Sequence, residues 1–96
     1  MISIGETTNS SSNTLNILGG STLVNAATDV LVGNNGPSNS LVISSGGLLA
    51  NPTGYLGVAT TSTNNTVTVT GSNSTWANNG IYVGYEGGNN SLTSSS

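Results

Sequence analysis

Three stretches of this 96-residue chain repeat one pattern: NTLNILGGSTLVNAATDVLVG from Asn13, NSLVISSGGLLANPTGYLGVA from Asn39 and NTVTVTGSNSTWANNGIYVG from Asn65. The first two align at an offset of 26 without a gap; the third follows at 26 and drifts to 25. A fragment of the same unit precedes them (Ile2-Ser3-Ile4-Gly5), and another follows (Asn90-Ser91-Leu92). A fixed period of this length marks an architecture in which a unit buries its apolar face only by stacking on its neighbours. The chain therefore divides, as one domain, into a partial coil 1–12, coils 13–38, 39–64 and 65–89, and a partial coil 90–96.

Each unit carries three short apolar beats. The first is Leu15-x-Ile17, Leu41-x-Ile43 and Val67-x-Val69, with Leu92 opening a fourth. The second centres on Leu23, Leu49 and Trp76. The third is Val30-x-Val32, Leu56-x-Val58 and Ile81-x-Val83, with Ile2-x-Ile4 before them; Gly33, Ala59 and Gly84 close it, and Gly5 matches them. Alternation of period two is a strand pattern, and turn formers such as Gly19-Gly20, Asn34-Asn35-Gly36-Pro37 and Gly87-Gly88 separate the beats. No window holds a helical stripe. Three short strands in about 26 residues predict one coil of a right-handed parallel β-helix, with the residues of the first and third beats stacking into its core. A sandwich of antiparallel hairpins is the competing architecture; its best signal, Asn79-Gly80, recurs at that place in no other unit.

The second beat is followed two residues on by Asn25, Asn51 and Asn78. These form a candidate internal asparagine ladder, their amides hydrogen-bonding along the stack; the alternative is that they tolerate left-handed turn geometry. Trp76 shares a register with Leu23 and Leu49 and is expected in the core rather than as a sugar platform. Tyr55 and Tyr82 alternate with inward residues and are expected to point outward, as candidate contacts for a glycan or a partner. Thr66, Thr68 and Thr70 also alternate, but the earlier coils do not repeat the row.

Ser, Thr, Asn and Gly make up more than half of the chain, and apolar residues only 33%. That balance alone would suggest disorder, but the strict apolar period and the near-absence of charge oppose it. There is no Lys, Arg, His or Cys, and only Glu6, Asp29 and Glu86 are acidic. Without cationic side chains nothing neutralises phosphates, so nucleic acid is excluded as a partner. An anionic membrane surface is excluded on the same ground, and no apolar run is long enough for membrane insertion. Ser nucleophiles lack a basic partner. The carboxylates fall in different coils, too far apart for paired glycosidase chemistry. His and Cys ligands are missing, and one carboxylate per coil is too few for a tight Ca²⁺ site. The expectation is a non-enzyme with no cofactor and no metal.

The third unit is the most specific part of the chain. Val67 and Val69, Gly71 to Trp76, Asn78 to Gly80, Val83-Gly84-Tyr85, Gly87-Gly88 and Leu92-Thr93 together resemble the repeat associated with type V secretion (autotransporter) passengers and PEP-CTERM proteins. The match covers one unit well and fades in the first two, which lack the Trp and the V-G-Y step. The resemblance implies a β-helical bacterial protein that is secreted or surface-exposed, and it carries over no catalytic residue.

Both ends of such a stack present unpaired backbone groups. Ile2, Ile4 and Leu92 are the expected end-to-end contacts. The chain is thus expected to be an extracellular structural protein: a β-solenoid stalk or a self-stacking fibre subunit whose partner is itself. The competing expectation is an adhesin or glycan-binding module using Tyr55 and Tyr82.

Overall fold

The computed structural model describes residues 1–19, 28–95 and the backbone of 23–25. The described residues contain no helix and eleven strands: β1 Ile2–Ile4, β2 Thr14–Ile17, β3 Leu23–Asn25, β4 Val30–Val32, β5 Ser40–Ser44, β6 Leu48–Ala50, β7 Thr53–Leu56, β8 Thr66–Thr70, β9 Thr75–Ala77, β10 Gly80–Val83 and β11 Ser91–Ser95. Each pairs only with its equivalent one coil away. Three parallel sheets result: β2–β5–β8–β11, β3–β6–β9 and β1–β4–β7–β10. The chain is a parallel β-solenoid of about three turns.

The first beat stacks as its spacing requires. Leu15, Leu41, Val67 and Leu92 form one column, and Ile17, Ile43, Val69 and Ser94 the next. Leu41, Ile43 and Val67 are fully buried, and the strands read alternately buried and half-buried. The core joins these residues to Ile4, Val30, Val32, Leu49 and Leu56. Ile2, Leu15 and Trp76 pack against it from its margins.

The other two beats shift register relative to the constant-period alignment. In the second, Val24 rather than Leu23 pairs with Leu49, which then pairs with Trp76; the side chains of 23–25 lie outside the described residues. In the third, Val30 pairs with Gly54 and Val32 with Leu56. Gly54 also pairs with Ile81, and Leu56 with Val83. Val58 is therefore not a core residue. It follows the strand, half-buried, on the outer surface. The residue that closes the beat is Gly57 (φ +72°), in line with Gly5, Gly33 and Gly84 (φ +75°, +80° and +78°), and not Ala59.

The indole of Trp76 explains the slip. A Cβ on Gly54 would lie 2.5 Å from Trp76 Cζ2 and 2.7 Å from Cη2, so the ring occupies the lumen that a side chain at 54 would fill. Aligning Leu56 with Val30 would place a leucine near that space. The pairing predicts strong coupling: Gly54→Val should destabilise the fold by about 1–3 kcal/mol. Trp76→Leu in the same chain should return part of that loss. A double-mutant cycle by urea unfolding should show a coupling of about 1 kcal/mol or more; additive effects would contradict it.

Candidate functional site

Two features stand out from the repeating scaffold: an asparagine column at one corner and a tyrosine cluster on one face. The column runs where the chain turns from the β1–β4–β7–β10 sheet into the β2–β5–β8–β11 sheet. Its rungs are Asn13, Asn39, Asn65 and Asn90, the residues that head each repeat. The Oδ1 of Asn39 accepts from the backbone N–H and the Nδ2 of Asn13, both at 3.0 Å. The Oδ1 of Asn65 accepts from the Asn39 N–H at 2.8 Å. The Oδ1 of Asn90 accepts from the N–H and Nδ2 of Asn65 at 2.8 and 3.1 Å. Asn39 and Asn65 are fully buried. The residue before each rung (Ser12, Ser38, Asn64 and Asn89) adopts a left-handed φ near +60°, a conformation that short polar side chains tolerate.

This ladder is not the one expected from Asn25, Asn51 and Asn78. Asn25 pairs with Ala50, which places it out of column with Asn51. The Oδ1 of Asn51 instead accepts from Trp76 Nε1 at 2.6 Å, while its Nδ2 donates to Thr53 O at 2.8 Å. The Nδ2 of Asn78 makes a long 3.5 Å contact with Trp76 O. Asn51 is thus a buried cap for this half-buried indole and answers its polar N–H.

The corner alternates between two loop lengths. Gly5 to Asn13 and Gly57 to Asn65 are eight residues apart; Gly33 to Asn39 and Gly84 to Asn90 are six. Each long loop makes the same turn, Ser10 N–H to Thr7 O and Ser62 N–H to Ala59 O, both at 2.9 Å. The asparagine of the following short loop donates from Nδ2 to that turn: Asn39 to Ser10 O at 2.9 Å and Asn90 to Ser62 O at 3.1 Å. The corner therefore repeats every two coils.

One difference between the long loops leaves a defect. Thr7 Oγ1 and Ser10 Oγ are hydrogen-bonded at 2.9 Å. In the second long loop Ala59 stands in the threonine's place, and the buried Ser62 Oγ has no partner among the described residues. Ala59→Thr should restore the bond and raise stability by about 0.5–1.5 kcal/mol, read as a higher urea midpoint. A lower midpoint would show that the loop lacks room for it.

The tyrosine cluster lies on the outer face of the β1–β4–β7–β10 sheet. Ser3, Leu31, Tyr55 and Tyr82 form one outward column; alternation predicts that each tyrosine points outward, and the shifted register of β7 brings the two together. Their rings stack at 5.0 Å, 9° from parallel. Tyr85, from the following loop, stands nearly perpendicular to both at 5.5 Å. Tyr82 and Tyr85 are about half exposed, at 49% and 55%. Beside them a shallow cleft of about 260 Å³ is lined by Asp29, Leu31, Tyr55, Val58 and Tyr85. Desolvation, and next the negative charge of Asp29, push the Tyr55 hydroxyl above its ordinary range. It is a neutral phenol able to donate a hydrogen bond at physiological pH. The sequence reading did not assign Tyr85 a site role; its place in the V-G-Y step after a strand was the available signal.

Glu6 is exposed and accepts from Ser3 Oγ. That bond, with a second from the Asn34 side chain, holds its carboxyl below the usual range. No group of three or more metal-ligating side chains occurs among the described residues. Of the expected end contacts, Ile2 is half-buried, Ile4 is buried and Leu92 is 37% exposed. Comparisons with family models, curated proteins and solved structures found no match to this chain.

Proposed function

We propose that this protein is a non-catalytic structural element, a β-solenoid stalk or self-stacking fibre subunit of an extracellular bacterial assembly, with itself as principal partner. One observation carries the reading. Along the lumen, Leu56 and Val67 are fully buried, whereas Val83 and Leu92, their equivalents one coil further, are 47% and 37% exposed. The lumen is thus apolar and open at the β9–β10–β11 end, and the backbone groups on the outer edges of β10 and β11 have no neighbouring strand among the described residues. Coil-on-coil stacking covers both. With a net charge of −3 and no cation in the chain, little repulsion opposes it.

Electron microscopy of the purified chain tests this reading. Filaments with a meridional spacing of about 4.8 Å are expected, and Leu92→Asp should abolish them by placing a charge in the lumen mouth. Dispersed particles at every concentration would defeat it.

A second reading, surface-glycan binding, rests on the Tyr55–Tyr82–Tyr85 cluster and its cleft. A glycan array with Tyr82→Ala as control tests it: binding lost in the variant supports it, and an array without hits removes it.

A further inference from the structure

We propose that a second copy of this chain docks on the β9–β10–β11 end in one specific register, in which Asn13 of the incoming copy becomes the next rung above Asn90. The inference rests on the stacking reading and specifies its interface. In this register β1 of the incoming copy pairs with β10, and its β2 pairs with β11.

Among the described residues, the top of the asparagine column is shaped to take that rung. The backbone N–H of Asn39 donates to Oδ1 of the asparagine above it, Asn65. Asn90 shares with Asn39 the bond from Nδ2 to the long-loop carbonyl below. Its own N–H, however, has no acceptor among the described residues. The Oδ1 of Asn13 in turn accepts no hydrogen bond among the described residues, so the two complement each other.

The glycine below each rung tells the same story. A Cβ on Gly5, Gly33 or Gly57 would meet the carboxamide of Asn39, Asn65 or Asn90 at 2.0, 2.2 and 2.1 Å. At Gly84 the nearest side-chain atom is 4.0 Å away. Gly84 thus offers the same cradle, with no carboxamide against it among the described residues.

Phase decides which residue enters. The corner loops run long, short, long, short, so the loop after Asn90 should be long. The loop that leads into Asn13 is long. A second copy in this register continues the two-coil alternation. It also extends the lumen columns, setting Ile2 on Ile81, Ile4 on Val83 and Leu15 on Leu92.

The chain has no cysteine, so introduced pairs report without background. Thr14, Ser40, Thr66 and Ser91 form one outward column. In the proposed register Thr14 of the incoming copy lies over Ser91, about 4.8 Å away, within disulfide reach. Mixing the Ser91→Cys chain with the Thr14→Cys chain under oxidation should give a heterodimeric cross-link. Replacing the latter by Asn16→Cys moves the thiol two residues along the strand, beyond reach, and should reduce the cross-link at least about tenfold. Asn13→Ala, which removes the incoming carbonyl oxygen, should raise the concentration needed for assembly by about tenfold, one hydrogen bond's worth. Assembly without the Thr14–Ser91 cross-link, or with equal cross-linking at Asn16, would overturn the register while leaving stacking intact. Absence of any assembly by light scattering would overturn stacking and the register together.

Discussion

Replacing Asn39 by alanine is expected to lower the stability of the fold by about 3–5 kcal/mol. The side chain is fully buried. Its Oδ1 accepts two hydrogen bonds from Asn13, and its Nδ2 donates to Ser10 O and Pro37 O at 2.9 and 3.1 Å. Alanine deprives four groups of a partner at once. Each buried group left unsatisfied costs about 1–3 kcal/mol, partly recovered where water reaches the exposed Asn13. Against a total stability of about 5–15 kcal/mol, such a loss removes a large share of the margin and should lower the urea midpoint markedly. Asn78→Ala, which removes one long contact, should cost less than about 1 kcal/mol. Urea midpoints of the two variants decide between the two possible asparagine ladders. Equal losses would mean that the Asn13–Asn39–Asn65–Asn90 column is not what holds the corner.

A methyl group at Gly33 is expected to be comparably damaging, at about 3 kcal/mol or more. Two costs combine there. The residue sits at φ +80°, where a Cβ costs about 1–2 kcal/mol. That Cβ would also lie within 2.6 Å of the carboxamide carbon, nitrogen and oxygen of Asn65. The Asn65 side chain would have to leave its rung, releasing the bond from Asn39 and the Nδ2 bond to Asn90. Gly80→Ala is the matched control, because a Cβ there meets nothing within 4 Å and its φ is not left-handed. It should leave the thermal midpoint unchanged or slightly raised through a stiffer unfolded chain. If Gly33→Ala unfolds no earlier than Gly80→Ala, the contact between the glycine and the rung above is not a stability determinant.

Much of the architecture could be read without coordinates, for a definite reason. A solenoid repeats its environment, so each inward position appears several times, and chance apolar matches are averaged away. The first beat is the clearest case: Leu15, Leu41, Val67 and Leu92 share a column as their alignment implies. The outward direction of Tyr55 and Tyr82 follows from the same alternation, whereas their pairing follows from the shifted register of β7. Where one coil departs from the average, the reading slipped. Leu56-x-Val58 resembles Val30-x-Val32 at an offset of 26, yet the strand is set two residues earlier to make room for Trp76 over Gly54. Gly57, in line with Gly5, Gly33 and Gly84, was the mark of the true register.

The asparagines show the opposite situation. Asn13, Asn39, Asn65 and Asn90 head the repeats in plain view, yet the ladder expected from the pattern runs through Asn25, Asn51 and Asn78. Polar residues recur in turns and in cores alike, and periodicity cannot tell which recurrence is buried. Only the corner's left-handed turns, with glycine packed against the next carboxamide, separate the two sets.

The amino-acid sequence by itself pointed to a stack of three-stranded coils, because its apolar beats recur at a fixed period while the hairpin signal Asn79-Gly80 recurs in no other unit. It also determined that the protein carries almost no charge, which follows from composition alone. The tertiary structure decided which asparagines become rungs, which glycine closes each beat, and that a third tyrosine joins the other two. Those outcomes depend on contacts between neighbouring coils and on the space a single indole takes, and a linear pattern does not encode either.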